Sequence, residues 1–214
     1  MRPAGWGVAL LLLAAGLLVG CGVRTPGPEA EGMAAQAAYE ARAQRLAGLQ
    51  AWTLEGRVTV KGPQESGQVR VRLQRDPGGS VLDVRNVFGQ TMLRLTRDGQ
   101  GLRLRDDRGQ VYRGPAARRV LRARLGWRVP VGRLDQWVLG LARPGGGPAA
   151  MDGRGRPLRI ESGPWRIRYP HYVQVEGVWL PQEVNVGHDG LDVRIRVDDW
   201  RLQWPEAADQ GAAA

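Results

Sequence analysis

The residues with the clearest chemistry are Leu18, Val19, Gly20 and Cys21, which match the bacterial lipobox: an aliphatic residue, a small residue, glycine and cysteine. In this motif diacylglycerol is joined to the cysteine sulfur, the chain is cut before the cysteine, and the new amino terminus is acylated. Cys21 is the only cysteine, so an internal disulfide is excluded. We therefore predict that Cys21 carries the lipid. The alternative is an ordinary signal peptide with a chance cysteine.

The segment before Cys21 has the composition of a secretion signal. Arg2 supplies positive charge, and Val8 to Val19 is an almost unbroken apolar run. A bilayer span needs about 20 apolar residues, whereas the apolar core of a signal peptide has about 7–15. Residues 1–20 are thus predicted to be a signal peptide. Gly22, in place of the aspartate that retains lipoproteins in the inner membrane, favours the outer membrane.

The remaining residues offer little for catalysis or metal binding. The two histidines, His171 and His188, lie in or beside predicted strands with no cysteine to join them. Two aspartate pairs occur, at 106–107 and 198–199, but neighbours in a strand point to opposite faces. No glycine-rich phosphate loop follows a predicted strand. We expect no enzymatic activity, no metal and no cofactor.

The chain is basic, with 31 Lys and Arg against 21 Asp and Glu, and Lys61 is the only lysine. A basic balance is typical of proteins that bind nucleic acid or an anionic membrane. Export argues against nucleic acid. A bias from genome composition explains the arginines equally well, and the sequence leaves that question open.

The elements around these residues divide the chain into four parts. Residues 1–20 are the signal peptide, 21–33 a lipidated tether, 34–204 one domain and 205–214 a disordered tail. Pro26, Gly27 and Pro28 indicate the tether. An alanine-rich stretch predicts a helix over 34–49.

Most of the domain alternates apolar and polar residues with a period of two, which predicts antiparallel strands joined by tight turns. Trp200, Leu202 and Trp204 continue the last strand out of phase, so we predict a bulge near Asp198 and Asp199. The predicted strands cover 52–60, 69–74, 80–86, 90–97, 101–106, 110–113, 158–160, 165–169, 183–186 and 191–197.

Two helices interrupt the strands, at 116–125 and 133–141. In the second, Leu134, Trp137, Val138 and Leu141 form one apolar face. A sheet with one apolar face must have that face covered. We therefore predict a curled antiparallel sheet with helices over its concave side.

Phe88 is the only phenylalanine. Asn86 and Gly89 are turn residues, which places Val87 and Phe88 at the tip of a hairpin. A large apolar side chain at an exposed tip indicates a partner or a membrane. The alternative is a loop that folds back and buries Phe88.

Together these features resemble the LolB family of outer-membrane lipoproteins, which receive other lipoproteins from a periplasmic carrier. The resemblance covers nearly the whole mature chain. It is carried by Trp52 with Gly56-Arg57, Asn86-Val87-Phe88-Gly89, Val129-Pro130, Leu134, Gln136-Trp137, Leu139-Gly140-Leu141, Trp165, Tyr169, Tyr172, Leu180-Pro181 and Asp199-Trp200.

The resemblance implies a mainly β (α+β) fold, an incomplete antiparallel β-barrel with helices as a lid over an apolar cavity. It implies a membrane-insertion loop at Val87, Phe88 and Gly89, where Phe88 replaces the family's exposed leucine and Val87 stands where proline is common. The residues expected to line the acyl-chain cavity are Trp52, Leu134, Trp137, Val138, Leu141, Trp165 and Ile167.

The function implied is an acceptor anchored to the outer membrane and facing the periplasm. Its partners would be a LolA-like carrier, acylated lipoprotein cargo and the inner leaflet of the outer membrane, with no nucleic acid, and it would be a monomer. The alternative is a structural or assembly lipoprotein of the outer membrane with a packed core and no ligand. An open apolar pocket would favour the acceptor.

Overall fold

A computed structural model describes residues 28–62, 66–125, 131–143 and 146–205. The predicted signal peptide, Cys21 and residues 206–214 of the predicted tail lie outside the described residues. Among the described helices, none is long and apolar enough to cross a membrane.

The described residues form eleven strands and three α-helices. The strands are β1 (Ala51–Lys61), β2 (Ser66–Asp76), β3 (Gly79–Arg85), β4 (Thr91–Asp98), β5 (Gly101–Asp106), β6 (Val111–Arg113), β7 (Ala150–Met151), β8 (Pro157–Ser162), β9 (Trp165–Val175), β10 (Val178–His188) and β11 (Leu191–Gln203). The helices are α1 (Pro28–Ala47), α2 (Gly114–Leu125) and α3 (Leu134–Val138), and a 3-10 turn (Val131–Arg133) precedes α3.

All eleven strands belong to one antiparallel sheet, in the order β6-β5-β4-β3-β2-β1-β11-β10-β9-β8-β7. Neighbouring strands are consecutive in sequence except at one place, where β1 pairs with β11. The predicted mainly β architecture with few helices is confirmed, and the sheet stays open because β6 and β7 form its two edges.

The pairing of β1 with β11 contains the predicted bulge. Glu55 lies opposite Asp199 and Gly56 opposite Val197, so Asp198 is the extra residue. Gly56 is required here, because a methyl group at this position would overlap the carbonyl oxygen of Arg196. The prediction of a bulge near residues 198 and 199 is confirmed.

Several boundaries differ from the sequence prediction. Helix α1 begins at Pro28, six residues before its predicted start, so the segment predicted as a tether is helical from Pro28 onward. Proline suits the first turn of a helix, and Glu29 and Glu31 complement the positive end of the helix dipole. Strands β9 and β10 are longer than predicted, and β7 was not predicted.

Helix α3 is shorter than the predicted helix over 133–141. Gly140 has a φ of +67°, a conformation that favours glycine. Its N–H donates to the carbonyl oxygen of Trp137 at 3.0 Å, and the Leu141 N–H donates to that of Gln136 at 2.9 Å. These bonds end the helix, so Leu141 lies beyond it.

The inward face of the sheet carries two apolar clusters. The larger one surrounds α3 and includes the centres of β1 and β8 to β11. The smaller one joins β3, β4 and β5 to α2 through Leu93, Leu104, Ala117 and Leu121. Helix α1 contributes Leu46 to the larger cluster and also lies against the turn at Gly155, where an added methyl group would overlap the backbone of Tyr39.

Candidate functional site

An apolar cavity lies between α3 and the inward face of the sheet. The centre of a sphere the size of a water molecule can move through about 70 Å³ of this cavity. The lining side chains are aliphatic or aromatic, so the surface of the cavity is apolar. The lining residues are Leu54, Val58, Val69, Val71, Leu73, Leu82, Val84, Leu134, Trp137, Val138, Trp165, Val186, Val193 and Ile195.

Four of the seven residues expected to line a cavity do so: Leu134, Trp137, Val138 and Trp165. The indole rings of Trp137 and Trp165 lie 5.9 Å apart, centroid to centroid.

The other three expected lining residues lie outside the cavity wall. Trp52 is buried against Trp200, with ring centroids 5.7 Å apart. Ile167 is fully buried within the packed part of the core. Leu141 follows the end of α3 and packs against the core from there.

Valines and leucines of the strands make most of the wall, and sequence reasoning did not assign them to the site. Val71, Val84 and Val193 alternate with outward-facing polar residues, which was the available signal. Alternation shows that a side chain faces inward, but it does not show which inward side chains meet empty space.

Helix α1 holds one end of α3 through a half-buried guanidinium. Arg42 donates to the carbonyl oxygens of Leu139 at 2.5 Å, Gly140 at 3.2 Å and Trp179 at 2.9 Å. Burial lowers the pKa of Arg42. The carbonyl oxygens at the end of a helix carry partial negative charge, which suits a cation at this place.

The side chains of the sheet hold the other parts of α3. Asp135 forms ion pairs with Arg97 and, at 3.8 Å, with Arg75. Burial raises the pKa of Asp135, and the two guanidinium groups oppose that rise. Tyr169 donates its hydroxyl hydrogen to the carbonyl oxygen of Trp137 at 3.0 Å. Helix α3 is therefore attached at both sides of the cavity.

The loop from Asn86 to Gln90 is built so that its two apolar side chains point into solvent. Asn86 Oδ1 accepts from the N–H groups of Phe88 and Gln90, both at 3.0 Å. Asn86 Nδ2 donates to Gln90 Oε1 at 2.8 Å, and Gly89 has a φ of +84°. Phe88 is 85% exposed and Val87 62% exposed. The alternative of a loop that buries Phe88 is wrong.

This tip loop, residues 86–90, continues directly from the cavity wall. Val84 lines the cavity on β3, and Asn86 follows two residues later. Strand β3 therefore connects the apolar cavity to the exposed apolar tip.

The two histidines belong to no metal-binding group in the described part of the chain. His171 is exposed, and His188 lies between the ring of Trp165, 4.9 Å away, and Asp189. Within the described residues there is no group of three His, Cys, Asp or Glu side chains that could hold a metal ion.

Comparisons with known proteins agree with this geometry. The family model described as outer membrane lipoprotein LolB matches residues 50–200. An outer-membrane lipoprotein LolB from Pseudomonas syringae pv. syringae is 31% identical, over 86% of this chain and 91% of that protein. One from Tolumonas auensis is 26% identical, over 74% of this chain and 81% of that protein. Among solved structures, a LolA superfamily protein from Nitrosomonas europaea is similar in fold, with a TM-score of 0.54 and 12% identity over 79% of this chain and 93% of that one.

Proposed function

Because this chain belongs to the LolB family of outer-membrane lipoproteins, we propose that it receives lipoproteins from a periplasmic carrier and passes them into the outer membrane. The observation that carries the proposal is the wholly apolar cavity under α3. Acyl chains would bind there without a covalent step, since each buried methylene contributes about 0.8 kcal/mol.

The size of the cavity sets a condition on how cargo binds. The cavity, with its volume of about 70 Å³ for the centre of a water-sized sphere, holds a few water molecules or part of an acyl chain. Movement of α3 away from the sheet would make room for a whole chain. The contacts of Asp135, Arg42 and Tyr169 with their partners are the ones that this movement changes.

The alternative is a structural or assembly lipoprotein whose apolar face is only a packed core. Protein interiors pack closely and contain few voids larger than a water molecule. An apolar cavity lined from strands on both sides of the β1–β11 pair, with a helix above it, favours the receptor.

The second part of the proposal concerns delivery. Val87, Phe88 and Gly89 form the membrane-insertion loop, because Phe88 is exposed and the Asn86 hydrogen bonds hold it outward. The interior of a bilayer is a larger apolar medium than the cavity, so acyl chains would move onward once the tip has entered the membrane.

The third part concerns the anchor and partners. We propose that Cys21 carries the lipid, that the protein acts as a monomer, and that a LolA-like carrier presents acylated cargo to it. No chemical transformation of the cargo is involved.

The test uses the mature chain, residues 21–214 with Cys21→Ala, so that no lipid anchors it. It is mixed with a carrier loaded with a lipoprotein, and acceptance of cargo and release into liposomes are measured separately. The parent should accept and release cargo. The Phe88→Glu variant should accept cargo but release it poorly, whereas Phe88→Leu should behave as the parent.

Two results would contradict the proposal. If the folded parent accepts no acylated cargo, the receptor function is wrong. If Phe88→Glu delivers normally, or loses acceptance as well, the tip loop is not the insertion device.

A further inference from the structure

We propose that four arginines on the outer face of the sheet, Arg196, Arg57, Arg70 and Arg85, bind the phosphates of anionic phospholipids beside the tip loop. We call these four residues the arginine row. The inference rests on the proposed membrane role of the tip loop, and it adds a lipid preference and an orientation on the membrane.

The row follows directly from strand register. Arg196 of β11 lies opposite Arg57 of β1, Arg57 opposite Arg70 of β2, and Arg70 opposite Arg85 of β3. Adjacent strands lie about 4.7–4.9 Å apart, so the row extends for about 14 Å. Like charges directly opposite each other destabilise a sheet. Four arginines in this arrangement therefore favour bound anions.

The protein neutralises the row only in part. Arg57 pairs with Asp198 at 2.7 Å, and Arg85 lies 4.0 Å from Asp83, which Arg94 holds more closely at 2.6 Å. Within the described residues Arg70 and Arg196 form no ion pair within 4.0 Å, and both side chains are exposed. Glu183 lies opposite Arg196 on β10, but it pairs with Arg194 at 3.4 Å. Planar guanidinium groups suit phosphate oxygens because they can donate two parallel hydrogen bonds.

The depth of the row relative to the tip matches a membrane interface. Arg85 ends β3 and lies three residues before Phe88. Because residues 86–90 form a turn, the row lies behind the tip by less than the roughly 10 Å that three residues of extended chain would span. Apolar groups at an interface lie about 5–10 Å into the headgroup and acyl boundary. When Phe88 enters that boundary, Arg85 and its cross-strand partners come to the level of the phosphates.

A polar cleft extends the basic surface toward the same end of the sheet. Lys61, Arg168 and Arg194 line it together with a single carboxylate, Asp192. An acidic protein would also be attracted to this surface. An acidic protein would not explain why the row lies just behind the exposed phenylalanine. A membrane surface does explain this placement, so phospholipid is the proposed ligand.

The experiment measures binding of the unlipidated mature chain to vesicles of phosphatidylcholine, with and without phosphatidylglycerol. The test variant is Arg70→Gln with Arg196→Gln. The matched control is Arg154→Gln with Arg201→Gln. Both control arginines are exposed, and Arg201 lies opposite Thr53, at the end of the sheet away from the tip.

On vesicles with phosphatidylglycerol we expect the test variant to bind roughly 30-fold more weakly than the parent, since each basic residue near an anionic surface contributes about 1 kcal/mol. The control should bind as the parent. On phosphatidylcholine alone all three should bind equally. About 1 M salt should remove the difference, because the Debye length falls to about 3 Å.

Equal binding of test and control variants to anionic vesicles would overturn the proposal. Unchanged vesicle binding with poor acceptance from the carrier would also overturn it and assign the row to an acidic protein partner. A parent that accepts no cargo but binds anionic vesicles through the row would refute the receptor function and leave the lipid site standing.

Discussion

Arg42 of α1 donates a hydrogen bond of 2.5 Å to the carbonyl oxygen of Leu139, the residue at the end of α3. The same guanidinium reaches Gly140 and, on β10, Trp179. The half-buried guanidinium of Arg42 thus joins the first helix, the helix over the cavity and the sheet. This relationship gives α1 a role in the site although none of its residues lines the cavity.

Replacing Arg42 should loosen the end of α3. In Arg42→Met the apolar stem remains, but three carbonyl oxygens lose their donor, and we expect a loss of about 1.5–3 kcal/mol in the free energy of unfolding. Urea denaturation measures this loss. Arg154→Met, at an exposed position, is the control and should change stability by less than about 0.5 kcal/mol. Equal midpoints for the two variants would refute the role of Arg42.

Asn86 should matter for delivery because it positions Phe88. Asn86→Ala removes the acceptor for the Phe88 and Gln90 N–H groups. We expect a stability loss of about 1 kcal/mol and slower release of cargo into liposomes, with acceptance unchanged. Asn86→Asp keeps Oδ1 and should release cargo nearly as the parent does. Normal release by Asn86→Ala would show that the loop needs no fixed shape.

Filling the cavity should block acceptance. Val71 lies on the cavity wall, so Val71→Trp places a large ring in the space, at a cost of about 1–3 kcal/mol from overpacking. The control is Val81→Trp, one residue before the lining residue Leu82 and therefore on the opposite face of β3. Cargo transfer from the carrier should fail for Val71→Trp alone. Full acceptance by that variant would place the acyl chains elsewhere.

The period-two pattern predicted most of the strands, because each has one solvated and one apolar face. The bulge followed from a change of phase at Trp200. The length of α3 did not follow from the pattern, since Leu141 continues the helical spacing and only the left-handed Gly140 ends the helix. The start of α1 was missed because Pro28 was assigned to the tether, although proline also suits a first helical turn.

The site was less predictable than the fold. The exposure of Phe88 followed from its place between two turn residues. The hydrogen bonds of Arg42 could not be predicted. They go to backbone carbonyl oxygens 97 to 137 positions away, and every residue type has such an oxygen. Trp52 was expected at the cavity from the family resemblance, and its contact with Trp200 was not visible in the sequence.

Acid should weaken the turn that supports α1. Burial alone would raise the pKa of Asp152, but hydrogen bonds from the Arg156 side chain and from the N–H groups of Arg156 and Arg154 outweigh it and lower the pKa below 3.8. The unfolded chain therefore binds the proton first as pH falls, and the stabilisation present above pH 3.8 is lost as pH drops through the folded pKa. The stability difference between the parent and Asp152→Asn should shrink over that range in pH-dependent denaturation. A constant difference would refute this assignment.

Cys21 should be the site of lipid attachment. Cells that express the full chain are labelled with radioactive palmitate, and the Cys21→Ala variant should carry no label. The Phe88→Glu variant, in which Cys21 is intact, serves as the control and should be labelled as strongly as the parent. Undiminished label on Cys21→Ala would show that the lipid is attached elsewhere or that the motif is accidental.

The pairing of β1 with β11 is the one long-range step in forming the described sheet. Every other neighbouring pair joins strands that follow each other in sequence, so β1 to β6 and β7 to β11 can each form through short-range steps. The remaining pair brings Ala51 to Gln203 and closes a loop that contains nearly the whole domain. Closing such a loop costs chain entropy before its contacts compensate, and non-local pairing slows folding. The cavity, whose wall draws on strands from both halves, is complete only once this long-range pairing has formed.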